Sequence, residues 1–318
     1  MQTRIQRLVT AYETARLTRR ELLRALALAG TSSALVGRSL SARTRPQLLQ
    51  ARSMRNVSVD VSDLQRSVRF YQQLFDVSAV RTLPSSGGGA YGLDFNGRLI
   101  TLHPQPTGGV ITDFSIGVDD FRAGRDGAAI RAAGYEVVAS ADDHLFVSDP
   151  DGIRVQITDA DYTAACPSCP PPPAEAAGLS GGSDPLFQAR TLNHVSMGVS
   201  DQRASVAFYQ DLFGLGAPRP LLPPGAGILG LDINESYLSL SPAGARAGTI
   251  THFCVGVADF DLERDMARIR ALGLRVRELT PGANNQTVYV NDPDGLSVQI
   301  VADTWKSLCP DCDPAPFE

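Results

Sequence analysis

The stretch that decides the fold runs from Arg52 to Phe75, RSMRNVSVDVSDLQRSVRFYQQLF, because the chain contains it twice. It aligns without gaps on Arg190 to Phe213, RTLNHVSMGVSDQRASVAFYQDLF, 138 residues further along. Thirteen of the 24 aligned positions are identical. Solenoid repeats are only about 20–50 residues long. The sequence therefore predicts two copies of one domain.

Shorter motifs extend this correspondence. Gly-Leu-Asp occurs at 92–94 and 230–232, Asp-Pro-Asp-Gly at 149–152 and 292–295, and Cys-Pro-x-Cys at 166–169 and 309–312. The residues between the copies are rich in Pro, Gly and Ser, which is typical of a linker. We therefore expect a first domain at 52–165, a linker at 166–189, a second domain at 190–308 and a Cys-x-x-Cys tail at 309–318.

Each copy is in turn built from two similar units. Segments that alternate polar and apolar residues begin at Asn56 and Asp113 in the first copy and at His194 and His252 in the second, a pattern that indicates strands. The full pattern predicts an α+β protein of two tandem domains, each with two strand–helix–three-strand modules that form a cup-shaped mixed sheet. The expected helices are Ser67–Phe75, Arg122–Ala133, Ser205–Phe213 and Leu262–Leu272.

Length and composition exclude several classes of protein. At about 150 residues per domain, 318 residues leave room for two domains. The net charge of -5 conceals an asymmetry, because residues 1–42 carry +5 and the remainder carries -10. This acidic remainder argues against a nucleic-acid partner, since phosphate affinity comes from Lys and Arg. No run of about 18 apolar residues is present, so we expect no stable membrane insertion once the signal is removed.

The N-terminus has the pattern of an export signal. The pair Arg19-Arg20 precedes an apolar run from Ala25 to Gly37, with small residues following. A basic segment, an apolar stretch and a small-residue site are typical of a secretory signal, and paired arginines resemble a twin-arginine signal. We expect residues 1–45 to be an export signal with a disordered start, and the mature protein to be periplasmic or extracellular. The alternative is an amphipathic first helix with a solvated Arg pair.

Four modules with Phe-Tyr near a helix end and Asp-Pro-Asp-Gly before the last strand resemble the vicinal oxygen chelate superfamily. This superfamily includes glyoxalase I, bleomycin-resistance proteins and type I extradiol dioxygenases. The resemblance covers about residues 52–304 and implies that two modules close a cup around one site. The four-module arrangement is similar to that of extradiol dioxygenases, which implies a metal in the second domain only.

Strand alternation places His194, His252 and Gln299 on the concave face of one cup. The resemblance implies a metal triad of His, His and Glu at these positions, which suits Fe(II) or Mn(II), with Zn(II) as a further option. Gln299 departs from this pattern because its amide oxygen carries no negative charge, so we expect weaker metal binding. An empty cup lined by polar histidines is the alternative. Cys254 is expected to be a small buried residue, not a ligand.

The resemblance also implies an active-site tyrosine. Tyr289 precedes Gln299 by ten residues, the spacing of such a tyrosine in extradiol enzymes, although an ordinary strand aromatic is the alternative. The acid/base histidine that those enzymes place before it is missing, because 280–287 offers only Asn284, Asn285 and Gln286. A metal-assisted reaction other than ring cleavage therefore stays open.

The first copy carries a poorer donor set. Asn56, Asp113 and Gln156 occupy the equivalent positions, and one carboxylate with two amides makes a poor transition-metal site. His103 ends a strand in the same cup and could contribute a further metal ligand there. We expect this half to be structural and degenerate.

Two cysteine pairs, Cys166 with Cys169 and Cys309 with Cys312, each begin ten residues after a third-ligand position. Local disulfides suit an oxidising location. One four-thiolate zinc site that ties the domains together is the second interpretation. A redox-active pair is the third, although neither site has the expected strand–helix context.

These observations predict an exported metalloenzyme that acts on a small, oxygen-rich substrate chelated to one divalent metal in the second domain. A dioxygenase-type oxidoreductase comes first, and an isomerase or lyase second. The expected partner is a small-molecule substrate, and a homodimer is compatible with the sequence. The rival is a metal-free small-molecule binding protein of the bleomycin-resistance type, which Gln at both third-ligand positions favours.

Overall fold

A computed structural model describes residues 47–77, 79–83, 89–162, 184–222, 227–278 and 287–306. The predicted export signal, most of the predicted linker and both Cys-x-x-Cys pairs lie outside these residues. No helix of the described part is long and apolar enough to cross a membrane.

The described elements repeat one order four times, namely a strand, a helix and three further strands. This order confirms the predicted α+β fold. The first module comprises β1 (Ala51–Val61), α1 (Leu64–Leu74), β2 (Ala79–Leu83), β3 (Ala90–Phe95) and β4 (Arg98–Pro104). The second comprises β5 (Val110–Val118), α2 (Ala123–Ala132), β6 (Val137–Ser140), β7 (His144–Ser148) and β8 (Arg154–Asp159).

The third and fourth modules, which we call the second half, have the same order. The third comprises β9 (Ala189–Val199), α3 (Gln202–Phe213), β10 (Arg219–Pro220), β11 (Leu229–Ile233) and β12 (Ser236–Pro242). The fourth comprises β13 (Thr249–Val257), α4 (Leu262–Ala271), β14 (Val276–Glu278), β15 (Thr287–Asn291) and β16 (Ser297–Ala302).

The strands pair in the same way in both halves. The first strands of the two modules are antiparallel neighbours, β1 with β5 and β9 with β13. Each of them also pairs in parallel with the last strand of its own module. One further pairing, of Ile111 with Ile250, joins β5 to β13 and so connects the two halves into one mixed sheet. On each first strand, the face that points away from the predicted cup carries apolar residues. Val195 and Met197 on this face of β9 are fully buried.

The predicted starts of two helices are wrong. Helices α1 and α3 begin at Leu64 and Gln202, three residues before the expected Ser67 and Ser205. The reason is the Asp of each Val-Ser-Asp motif, which caps the helix by accepting hydrogen bonds from backbone N–H groups of the first turn. The motif therefore ends a strand and starts a helix at once. The other two helices agree with the prediction to within one residue at each end.

The repeated motifs meet across the two halves. The Tyr71 hydroxyl of α1 donates to Oδ2 of Asp292 at 3.3 Å, and the Tyr209 hydroxyl of α3 donates to Oδ2 of Asp149 at 3.1 Å. All four side chains are buried. The other oxygen of each Asp accepts two backbone N–H groups of its own Asp-Pro-Asp-Gly turn. Each half therefore supplies a turn that holds a helix of the other.

Candidate functional site

Strand register brings the three predicted metal ligands together. In the cup of the second half, Cys254 of β13 is the register partner of both His194 on β9 and Gln299 on β16. His252 lies two residues before Cys254 and therefore on the same face. The three predicted side chains thus converge from three neighbouring strands.

Nε2 of His252 lies within hydrogen-bonding distance of the other two potential ligand atoms. Nε2 of His194 is 3.4 Å from Nε2 of His252, which is 3.0 Å from Oε1 of Gln299. His194 and Gln299 are 3% and 2% exposed, and His252 is partly buried. Two ligands at about 2.1 Å from one ion lie about 3.0 Å apart at a right angle and about 3.4 Å apart at the tetrahedral angle. The spacing therefore fits a single metal ion.

Hydrogen-bond partners assign the lone pairs of the two imidazoles. Nδ1 of His194 lies 2.9 Å from Oδ1 of Asn193, which can only accept, so Nδ1 carries the proton. Thr251 donates its hydroxyl to the Ser196 carbonyl at 3.1 Å and accepts from Nδ1 of His252 at 3.2 Å. Both Nε2 atoms therefore present lone pairs to the centre.

Hydrogen bonds also orient the amide of Gln299, so that its oxygen points toward the two imidazoles. Its Nε2 donates to the Thr287 hydroxyl at 2.8 Å, and its Oε1 accepts from the Tyr289 hydroxyl at 3.0 Å. The oxygen therefore faces the two imidazole lone pairs. In the tautomer assigned from these partners, the lone pairs of the two Nε2 atoms and of Oε1 face one another, and a cation among them would relieve their repulsion. The residues therefore fit a metal ion, although they supply no negative charge to it.

Burial keeps both imidazoles neutral. It is the largest cause that lowers the pKa of His194 well below its usual value, and the His252 ring adds to the effect. Burial also lowers the pKa of His252 to about 4, and Arg277 contributes in the same direction. A neutral imidazole is the form that binds a metal, so both side chains are competent ligands at neutral pH.

Aromatic side chains form the walls around the centre. The ring of Tyr237 stacks on His194 with centroids 4.5 Å apart, and Trp305 lies 6.0 Å from the same imidazole. Tyr289 meets His252 edge-on at 5.4 Å. Burial raises the pKa of Tyr289, so its phenol stays protonated and acts as a donor. Cys254 is fully buried, and burial raises the pKa of its thiol, which makes it a weak nucleophile.

The first half places different residues at the same positions. The register of β1, β5 and β8 gives Asn56, Asp113 and Gln156 the places of His194, His252 and Gln299. Both ends of the Asn56 amide are used by neighbours, because its oxygen accepts from Thr101 and its nitrogen donates to Ser58. His103 is partly buried on β4. In neither half do three described His, Cys, Asp or Glu side chains form a metal-binding group.

Sequence reasoning missed the residues that orient the ligands. Asn193 and Thr251 each directly precede a ligand histidine, and Thr287 lies two residues before Tyr289. The sequence signal that could have identified Asn193 and Thr251 is a polar residue directly before each histidine of a strand. The partners of Asn193 and Thr251 are the ring nitrogens that face away from the centre, so strand alternation alone does not reveal them.

Comparison with protein families supports one superfamily for the second half. Residues 191–300, which include all three potential ligands, match the model of the Glyoxalase/Bleomycin resistance protein/Dioxygenase superfamily. The chain is also similar to metallothiol transferase FosB of Lysinibacillus sphaericus (strain C3-41). The two are 29% identical over 114 residues, which cover 33% of this chain and 77% of that protein.

Solved structures resemble the described chain over most of its length. One is the 2,3-dioxygenase LapB from Pseudomonas sp. KL28, with a TM-score of 0.62, 14% identity and coverage of 84% of this chain and 97% of that chain. Another is the Mn(II)-bound glyoxalase from Novosphingobium aromaticivorans, with a TM-score of 0.59, 15% identity and coverage of 81% and 84%. At these identities the likeness shows the fold.

Proposed function

We propose that the second half binds one divalent metal ion through His194, His252 and Gln299 and acts as a metalloenzyme on a small, oxygen-rich substrate. The observation that carries this proposal is the convergence of Nε2 of His194, Nε2 of His252 and Oε1 of Gln299, with His252 3.4 Å and 3.0 Å from the other two. The superfamily match of residues 191–300 supports it, and so does the likeness to a Mn(II)-bound glyoxalase. Two imidazoles and an amide oxygen suit Fe(II) or Mn(II), and Zn(II) is the third candidate.

The metal would hold the substrate by two oxygens and polarise them. Tyr289 contributes a protonated phenol at the centre, where it orients Gln299 and offers a hydrogen bond to a substrate oxygen. Tyr237 and Trp305 exclude water from the His194 side. Both roles favour orientation and polarisation of the substrate over proton abstraction.

We rank a dioxygenase-type oxidoreductase ahead of an isomerase or lyase because the chain resembles dioxygenase structures over most of its length. Isomerases and lyases of this kind need a base that moves a proton. Among the described strand residues that face this cup, Asp232 carries the only carboxylate. This carboxylate is paired with Arg219 at 2.9 Å. The described strand residues therefore offer no unpaired base for an isomerase or lyase, and the acid/base histidine of ring cleavage is equally missing from 280–287.

A metal-free binding protein is the second candidate. One observation favours it, namely that Gln299 satisfies its amide with Tyr289 and Thr287 without help from a metal. In this alternative the aromatic walls enclose an organic ligand and the histidines only line the cup.

Metal retention distinguishes the two candidates. The purified protein is loaded with Fe(II) under anaerobic conditions, or with Mn(II) or Zn(II), then desalted and analysed by mass spectrometry for metal. We expect one ion per chain, none after His194→Ala, and one after the matched change Asn56→Ala in the first half. If the wild-type protein retains none of the three metals, the binding protein is the correct interpretation.

We also propose, from the sequence, that the precursor is exported through the twin-arginine pathway and that residues 52–165 and 190–308 are two domains. Replacement of Arg19 and Arg20 by Lys is expected to leave the precursor in the cytoplasm, and unchanged export would contradict the proposal.

The two cysteine pairs have three interpretations, namely disulfides, a zinc site and redox function. Thiol counting on denatured protein with and without reductant separates two disulfides, which leave one free thiol at Cys254, from a zinc site, which gives five free thiols and stoichiometric zinc.

A further inference from the structure

One row of cross-strand neighbours crosses the cup of the second half. Register pairs Arg277 of β14 with Tyr289, and Tyr289 with Gln299. From Gln299 the row passes through Cys254 to His194. The guanidinium carbon of Arg277 lies 4.3 Å from the centroid of the Tyr289 ring. A cation therefore stands at the edge of the site, one aromatic ring away from the potential metal ligands.

The charge of Arg277 is not balanced within the described part of the chain. Its side chain is exposed and forms no ion pair with any described carboxylate. Beyond His194, Arg219 lies over the Tyr237 ring, and its charge is balanced because Asp232 binds it at 2.9 Å. The three potential ligands are neutral. The cup thus has a surplus of positive charge before any metal binds, and a divalent ion would add two more.

An unused hydroxyl lies on the same face. Ser297 pairs with His252 in the register of β13 and β16, and its side chain shares a face with Gln299. Its Oγ is buried and has no hydrogen-bond partner among the described residues. A buried polar group of this kind costs stability unless a ligand or water satisfies it, so Ser297 is a free donor within the cup.

We infer that the site takes an anionic substrate, whose vicinal oxygens bring the negative charge that the ligand set lacks and whose charge Arg277 and Ser297 help to hold. This inference rests on the proposed metal site. Its consequence is that metal and anion bind cooperatively, because each neutralises charge that opposes the other. The class expected is a small organic acid with an oxygen donor beside its carboxylate.

The test compares two probes of nearly equal shape. Lactate and acetoin both offer vicinal oxygens, but only lactate carries a negative charge. Free Mn(II) is measured by its paramagnetic resonance signal while the holoprotein is titrated with each probe. We expect lactate to tighten Mn(II) binding about tenfold, within the usual range of coupling between two ligands, and acetoin to change it less than twofold.

Variants assign the effect to the residues named. Arg277→Gln is expected to reduce the lactate effect about threefold, Arg277→Lys to keep most of it, and Arg270→Gln on the outer face of α4 to leave it unchanged. Gln299→Glu should tighten Mn(II) without lactate and weaken the lactate effect. Equal effects of lactate and acetoin, or a full lactate effect in Arg277→Gln, would overturn the inference. Absence of Mn(II), Fe(II) and Zn(II) binding under every condition would instead overturn the proposed metal site.

Discussion

The two halves of the molecule share a fold and differ in what lines their cups. In the second half, the cross-strand row of Arg277, Tyr289, Gln299, Cys254 and His194 carries a cation, a phenol and an imidazole. The same register in the first half gives Ala139, Phe146, Gln156, Ser115 and Asn56. Of the five positions, only the glutamine is unchanged. A cup is therefore a scaffold whose chemistry depends on a few inward positions.

The contacts that hold the halves together are, by contrast, nearly equal. Each Asp-Pro-Asp-Gly turn accepts a buried tyrosine hydroxyl from the other half. The second Asp of each turn, Asp294 or Asp151, accepts the backbone N–H of the equivalent serine, Ser62 or Ser200. The difference is that Asp294 also pairs with Arg66 at 2.9 Å. Residues that build the fold are thus the same in both halves, while those that line the cups have diverged.

The largest expected effect tests this structural equality. Asp292→Ala and Asp149→Ala each remove an acceptor for two backbone N–H groups and one buried phenol. We expect each change to lower the free energy of unfolding by about 3 kcal/mol, as measured by urea denaturation. A loss at only one of the two positions would show that the halves are not held equivalently.

The next largest effect concerns the pH dependence of folding stability, to which the buried histidines of the second half contribute. In the metal-free protein the pKa of His252 is about 4, below the 6.5 of an unfolded histidine. As the pH falls from 6.5 to 4, the unfolded chain takes up a proton that the folded chain does not, so folding stability decreases. We expect a loss of about 2–3 kcal/mol from this residue, to which His194 adds in the same direction.

Urea denaturation at pH 7, 5.5 and 4.5 measures this loss. The variant His194→Gln with His252→Gln should lose less stability over this range than the wild-type protein, since it no longer buries the two imidazoles. Saturating Mn(II) should also protect the wild-type protein at the upper end of the range. An identical pH dependence in the variant would contradict the assignment to the second half.

A smaller effect concerns the orientation of a potential ligand. Asn193→Ala removes the acceptor of the His194 Nδ1 proton, and loss of such a partner costs about tenfold or more in metal affinity. Titration of Mn(II) measures it, with Asn56→Ala in the first cup as the control that should not change affinity. If Asn193→Ala binds Mn(II) as well as the wild-type protein, the hydrogen bond does not orient the ligand.

The smallest effect concerns the ion pair between Arg66 and Asp294. Arg66→Ala removes the contact with Asp294, whose partner Arg66 is nearly half exposed. An exposed pair of this kind contributes about 0.5 kcal/mol. Ala204 occupies the equivalent position in the second half, so Ala204→Arg should not raise stability by more than this amount. A change above 2 kcal/mol in either variant would show that the two turns differ more than their hydrogen bonds indicate.

Much of the fold could be predicted because its signals are local. The repeated motif and the alternation along each strand indicated four modules, and they placed His194, His252 and Gln299 on one face. The helix starts were missed although their signal is also local, since the Asp of Val-Ser-Asp was counted with the strand and acts as a cap. That error came from the interpretation of a short motif, not from tertiary contacts.

The sequence by itself indicated which half carries the expected ligand pattern, because the second half has His194 and His252 where the first half has Asn56 and Asp113. Tertiary structure decided the rest. The lone-pair directions depend on Asn193, Thr251 and Thr287, and the bond between Tyr71 and Asp292 joins residues 221 positions apart. Alternation is a property of a single strand and can be read from it, whereas register, partner choice and uncompensated charge arise only when distant strands pack together.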